Sequence, residues 1–153
     1  MEASAMQIEQ QMTVLLRRVQ RIHLITATGE VHLDRSAYGI MCQLADEGPH
    51  RLGALAQAFG LDPSTITRQV QALEATGLVQ REQDPTDRRA SLLELTTEGR
   101  ERLVETRERR RAWLRAALDD WSEHDLDELG RLLEKFNGSI DRLVQSLGSD
   151  AAG

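Results

Sequence analysis

A chain of 153 residues with 40% hydrophobic and 29% charged residues is long enough to bury a real core and too apolar to be disordered, so one folded domain is expected. A net charge of −6 excludes a protein that holds nucleic acid by bulk charge, though not one that places a few cations well. Cys42 is the only cysteine, which excludes an intrachain disulfide and a structural zinc site built on several thiolates.

No apolar run approaches the ~20 residues that span a bilayer. The opening MEASAMQIEQQM lacks the basic and apolar regions of a secretory signal, so a cytoplasmic location is expected and no membrane partner. With aromatics at 3%, the core must be built from Leu, Val, Ile and Ala. Lys135 is the sole lysine among 19 basic residues; arginine, which makes up the rest, is suited to two-pronged phosphate and guanine contacts.

Ile8, Met12, Leu15, Leu16, Val19 and Ile22 recur at helical spacing and predict an amphipathic helix over 7–28, ended by Gly29. A second helix restarts near Asp34 or Ser36, either of which can cap it, with Tyr38, Met41, Leu44 and Ala45 as its inner stripe and Gly48-Pro49 as its stop. A third runs from about Gly53 to Phe59 with Leu52, Leu55, Ala56 and Phe59 inward. Gly60-Leu61 then makes a turn into a fourth helix over roughly Pro63 to Thr76. Asp62 suits its N-cap, Pro63 its first position and Gly77 its C-terminal stop.

Leu78 to Glu82 and Ala90 to Leu95 read as two strands joined by the turn chemistry of Asp84-Pro85-Thr86-Asp87, with Leu93 and Leu95 on one face. Thr96 or Thr97 caps a long charged helix reaching about Leu118. Ser122 opens a last helix in which Leu126, Leu129, Leu133, Phe136, Ile140, Leu143 and Leu147 step by three and four, the seam of a coiled coil. The tail from Gly148 to Gly153 is expected to be loose. The fold class is therefore mainly α with a small β-hairpin wing: a winged helix-turn-helix over 34–97, flanked by helical segments at 7–28 and 98–147, all in one domain of 1–153.

Helix, turn, helix and wing in this order are a device for placing one helix in a DNA groove. At ~100° per residue, Ile66, Val70 and Leu73 point inward, and the opposite face carries Ser64, Arg68, Gln71, Ala72 and Ala75, flanked by Thr65 and Thr67. Such a face of hydroxyl, amide and guanidinium groups suits base edges and phosphates: Arg68 can reach guanine, Gln71 can pair with adenine, and Ser64 and Thr65 lie near a helix N-terminus that favours phosphate. Arg88 and Arg89 top the hairpin, where an arginine can enter the minor groove; Asp84 and Asp87 are expected to orient their guanidinium groups. Over Arg51 to Thr97 five arginines face six carboxylates, so placement rather than net charge must supply affinity.

Several stretches make the chain resemble the MarR family of bacterial transcriptional regulators. They are Leu73-Glu74-Ala75-Thr76-Gly77-Leu78-Val79 with Arg81, the wing Asp84-Pro85-Thr86-Asp87-Arg88-Arg89, and Leu95-Thr96-Thr97-Glu98-Gly99. The resemblance covers nearly the whole chain. It implies a homodimer made by the first and last helices, binding to a pseudo-palindromic operator in double-stranded DNA, usually to repress, and release by a small effector, aromatic or anionic. His23, Tyr38, Met41 and Trp113 are the candidate pocket residues that go with that analogy, and Arg107, Arg110 and Arg111 offer charge for an anion.

No catalytic or cofactor motif is present, and neither an enzyme nor a cofactor is expected. Peroxide-sensing relatives carry a reactive cysteine near the N-terminus, where this chain has none; Cys42 reads as a small apolar filler, and a thiol enzyme would lack a resolving cysteine. His23, His32, His50 and His124 show no helical His pair, so no metal ligand set is signalled. A zinc-responsive regulator of the same fold and a non-enzymatic protein-interaction module are the alternatives.

Overall fold

The computed structural model describes residues 1–26 and 35–150, with side chains for 1–18 and 36–147. Among the described residues six helices and three short strands follow one another: α1 (Glu2–Thr26), α2 (Arg35–Glu47), β1 (His50–Arg51), α3 (Leu52–Phe59), α4 (Pro63–Ala75), β2 (Val79–Gln83), β3 (Ser91–Leu95), α5 (Thr97–Ala117) and α6 (Glu123–Asp150). The chain divides into two compact units, residues 1–111 and 112–153. No described helix is long and apolar enough to cross a membrane.

The core of the first unit is aliphatic, as the composition requires. Ile40, Met41 and Leu44 of α2, Leu55 and Ala56 of α3, and Ile66, Val70 and Leu73 of α4 close around Leu78, Val79, Leu93, Leu95 and Leu103. All of these are at most 5% exposed, so each buried Leu or Ile contributes on the order of 2 kcal/mol of apolar transfer. Ile40 belongs to this cluster although the stripe predicted for α2 left it out. Tyr38 and Ala45 are only half buried at its margin.

The sheet has one strand more than the sequence predicts. β1 pairs antiparallel with β3 (His50 opposite Leu93, Arg51 opposite Leu92), and β3 pairs with β2 from Val79 opposite Leu95 to Gln83 opposite Ser91, giving the order β1-β3-β2. Two residues after Gly48-Pro49 are too short to show a period, which is why β1 escapes a sequence reading.

Several helix ends follow local chemistry. At the end of α4 the Leu78 N–H reaches the Leu73 carbonyl (3.0 Å) and the Gly77 N–H the Glu74 carbonyl (3.0 Å), with Gly77 at φ 72°. That double wrap needs a left-handed residue and explains the glycine. Asp62 has the extended backbone of an N-cap, but its carboxylate makes no capping bond. The first turn of α4 is held instead by the Asp62 carbonyl, which accepts from Thr65 and Ile66 N–H (3.0 and 3.1 Å).

Thr96, not Thr97, caps α5. Its hydroxyl accepts from the Gly99 N–H (2.9 Å) and donates to the Gly77 carbonyl (2.6 Å), so one side chain joins the end of α4 to the start of α5. α1 begins at Glu2, earlier than predicted, because Glu-Ala-Ser-Ala-Met offers no helix breaker.

In the second unit, Ser122 caps α6 as expected: its hydroxyl accepts from the Asp125 N–H (3.2 Å) and donates to the Asp125 carboxylate (2.5 Å). α6 continues through Gly148 and Ser149 to Asp150, so that part of the tail is helical rather than loose; residues 151–153 lie outside the described residues.

Candidate nucleic-acid interface

α4 stands on its three buried residues, and its opposite face is open. Ser64, Arg68, Gln71, Ala72 and Ala75 are exposed, while Thr65 and Thr67 are half buried at its edge. The Thr67 hydroxyl donates to the Pro63 carbonyl (2.6 Å), which leaves its oxygen free only as an acceptor. Among the described residues the Arg68 guanidinium has no carboxylate partner. The one carboxylate on α4, Glu74, is drawn away from this face: Arg81 of β2 grips it through Nε to Oε1 (2.6 Å) and Nη2 to Oε2 (3.2 Å). Glu74 raises the Arg81 pKa, chiefly through that hydrogen bond, and the pair fastens the C-terminal turn of α4 to the wing.

The wing turn differs from the predicted arrangement in a specific way. Asp84 and Asp87 do not orient the guanidinium groups of Arg88 and Arg89. Asp84 is buried, 4% exposed, and both its oxygens are taken. Oδ1 accepts from the Thr86 N–H (2.8 Å) and hydroxyl (2.6 Å), and Oδ2 from Nε (2.8 Å) and Nη2 (2.5 Å) of Arg51. Asp87 turns its Oδ1 to the backbone N–H of Arg89 (3.0 Å). Backbone bonds from Asp84 N–H to the Ala90 carbonyl (3.1 Å) and from Ala90 N–H to the Asp87 carbonyl (2.9 Å) close the loop. Arg88 and Arg89 are left exposed at its tip, unpaired among the described residues. A short Asp side chain reaches backbone donors two residues on more readily than it reaches the ends of the long, solvated side chains beside it in sequence.

Arg51 is the residue that sequence reasoning missed. It precedes a helix, has no motif around it, and meets Asp84 only because β1 joins the sheet.

The Asp84 carboxyl is held well below the usual carboxylate range, first by the Thr86 hydroxyl and N–H, then by Arg51. A carboxyl whose folded pKa is depressed gives stability that is full above its unfolded value of about 4 and is lost as pH falls toward the folded value. The stability gap between the parent and Asp84→Asn, measured by urea unfolding, is therefore expected to be constant from about pH 7 to 5 and to shrink below about pH 4. A gap that stays constant into acid would contradict this role for the carboxylate.

Of the candidate pocket residues, Tyr38 and Met41 both stand on α2. Met41 is fully buried in the core and lines no accessible space, which corrects its assignment. The His23 side chain lies outside the described residues, as does His32, and Trp113 belongs to the second unit. Tyr38 is half buried under Arg110, whose guanidinium carbon sits 3.6 Å from the ring centroid. Burial first, then the Cys42 thiol, pushes the Tyr38 hydroxyl pKa up, against the pull of Arg110 and Arg107. Arg107 pairs with Asp46 (3.0 Å) and Arg111 with Glu108 (2.6 Å), so neither is free for an anion. No three His, Cys, Asp or Glu side chains converge on a metal-sized position among the described residues. In the second unit Trp121, Leu129 and Leu132, with Asp120, Asp125 and Glu128, line an open hollow of about 440 Å³ that no local pattern in the sequence predicts.

Residues 33–91, which hold the helix-turn-helix and the wing turn, match the model of the MarR family. An HTH-type transcriptional regulator of Bacillus subtilis, YxaD, is 36% identical over 131 residues, covering 85% of this chain and 90% of its own. The chain belongs to the MarR family. It is a winged-helix, DNA-binding transcriptional regulator and not an enzyme. The HTH-type transcriptional repressor NicR of Pseudomonas putida is 42% identical over 59 residues, 39% of this chain and 37% of that protein. The crystal structure of the transcriptional regulator BldR from Sulfolobus solfataricus matches with a TM-score of 0.73 at 27% identity, covering 91% of this chain and 96% of that one.

Proposed function

We propose that this MarR-family protein is a cytoplasmic homodimer that represses transcription by binding a pseudo-palindromic operator, and that a small aromatic or anionic effector releases it. The observation that carries the reading is the pairing of two unneutralised surfaces in one unit. One is the α4 face of Ser64, Arg68 and Gln71; the other is the wing tip of Arg88 and Arg89, and the carboxylates of Glu74, Asp84 and Asp87 are engaged elsewhere. α4 would read the major groove and the wing tip the flanking minor groove. Ser64, Thr65 and Thr67 would hold phosphates or base edges beside Arg68, and Asp87 would act only by shaping the turn. NicR, a relative named as a repressor, supports the sign of regulation.

Each unit carries an unpartnered apolar stripe, which supports the dimer. On α1 Ile8, Met12, Leu15 and Leu16 are between 37% and 55% exposed, and on α6 Leu133, Phe136, Ile140, Leu143 and Leu147 are between 38% and 61% exposed. Stripes of this extent on a soluble chain mark an interface, and a spacing of three and four on α6 suits a helix-to-helix seam. Two recognition helices set ~34–36 Å apart would reach successive major grooves on one side of the duplex. The joint action of two weakly charged units would offset the net −6 of each chain.

Introducing charge into that seam with Leu143→Asp and Leu147→Asp together should turn the dimer into a monomer in sedimentation. It should also weaken operator binding by at least about 100-fold, because the second half-site no longer binds intramolecularly. A double variant that remains dimeric, or a monomer that binds as tightly as the parent, would count against this assembly. The reading as a whole is tested by selecting bound genomic fragments in vitro and then screening aromatic acids and other anions for release. Recovery of one shared two-fold site is the expected result; recovery of unrelated fragments would reject it.

A further inference from the structure

We propose that Arg51 is a positioning residue for DNA binding: it fixes the wing tip relative to the helix-turn-helix, so that Arg88 and Arg89 can engage DNA together with α4. This rests on the DNA-reading roles proposed above for α4 and the wing.

Arg51 sits where the two parts meet. Its backbone forms the last residue of β1 and the extended N-cap of α3, at φ −70° and ψ 148°. Its side chain leaves the helix-turn-helix and reaches the far end of the hairpin, 33 residues on in sequence. There it meets both carboxylates of the wing turn: Asp84 Oδ2 through Nε and Nη2, and Asp87 Oδ2 at 4.0 Å from Nη2.

In each carboxylate the other oxygen secures the turn backbone, Asp84 through Thr86 N–H and Asp87 through Arg89 N–H. One cation thus lies against both carboxylates that shape the loop, while Arg88 and Arg89 stand exposed at its tip. Without Arg51 two carboxylates would face each other across the turn with no compensating charge. Burial of Asp84 makes that loss more costly than at a solvated surface pair. A guanidinium is needed because only a planar fork offers two donors to one carboxylate while still facing a second.

Three roles give different results for Arg51→Met, which keeps the apolar stem. In the DNA-free protein, amide exchange at Thr86 and Arg89 should quicken by at least about tenfold while Val70 and Leu73 of α4 keep their protection. Unchanged wing protection, or a loss shared equally by α4, would overturn the proposal in favour of no role or a purely global one.

On a selected operator, Arg51→Met should weaken binding by about tenfold and Arg51→Lys should restore only part of it. In a background already carrying Arg88→Ala and Arg89→Ala the same change should cost less than about twofold, because it has nothing left to position. An undiminished tenfold loss in that background would overturn the proposal and identify Arg51, whose side chain is 49% exposed, as a direct phosphate contact. A parent protein that retains no DNA sequence would reject the DNA-reading roles instead, and the exchange result would still decide whether Arg51 orders the turn.

Discussion

Arg89→Ala should weaken operator binding by at least about 30-fold at physiological salt, since the proposed dimer loses two guanidinium contacts, each contributing roughly 1 kcal/mol or more. The side chain is exposed, unpaired among the described residues, and mounted on a loop whose backbone is fastened by Asp84 and Asp87. Its removal should therefore leave folding intact, and the loss should appear in binding alone. Because the minor groove is read mainly through its electrostatic potential, the loss should be similar across sequences of like groove width. The slope of log affinity against log salt should also fall by about 2 per dimer.

Arg68→Ala is its counterpart on α4. Weaker binding should here come with a relaxed preference at the base pairs that Arg68 faces, because a two-pronged guanine contact discriminates by about 1–3 kcal/mol. Titrations of both variants against the selected site and its point variants, over a salt series, separate the two effects. Unchanged binding in both would falsify the assignment of the two surfaces.

Gly99→Ala should have the largest effect on stability of any single methyl added to this chain's described glycines. Gly99 is buried in the first turn of α5, where the Thr96 hydroxyl caps its N–H. A Cβ there would lie 2.0 Å from the Leu78 carbonyl oxygen, 3.0 Å from the carbonyl carbon and 3.3 Å from the Leu95 side chain. Backbone cannot swing aside as a side chain can, and Leu78 is itself held by the wrap that ends α4. The helix must move away from the sheet, at an expected cost of about 3 kcal/mol or more.

Gly53→Ala is the internal control: it adds the same methyl within α3, where nothing lies within 4 Å. Its effect should stay within about 1 kcal/mol and tend toward stabilisation. Thermal and urea unfolding of the two variants test the pair, and equal stability would contradict the close approach of α5 to Leu78.

Much of the fold was legible because it is written in periods and punctuation. The inner stripe of α4, the glycine at its end, the alternation of Leu93 and Leu95 and the caps at Thr96 and Ser122 each rest on neighbours within a few residues. The open α4 face was legible for the same reason, since helical geometry fixes what lies opposite Ile66, Val70 and Leu73. What escaped depends on distance in sequence. β1 gains its meaning only from pairing with β3, and Arg51 only from reaching Asp84.

The wing motif was recognised but misread in its chemistry. Proximity in sequence suggested that Asp84 and Asp87 serve Arg88 and Arg89, whereas the turn turns the carboxylates back and the guanidinium groups out. Asp62 shows the opposite limit: the right residue stands at the right place, yet its side chain makes no cap, and the backbone carbonyl carries the turn. The candidate pocket residues rest on analogy with a family rather than on a local pattern. Met41 failed because one helical face can supply a core as easily as a binding site.

The most direct test of the account is a paired footprint of the parent protein on a site recovered by genomic selection, with dimethyl sulfate probing guanine N7 in the major groove and hydroxyl radical probing the sugars of the minor groove, and with Arg88→Ala/Arg89→Ala run beside it. The account predicts two protected major-groove segments about one helical turn apart, each flanked by a minor-groove protection that disappears in the double variant. Protection that shows no preference for the recovered site over unrelated DNA, or flanking protection that survives loss of both arginines, would contradict it.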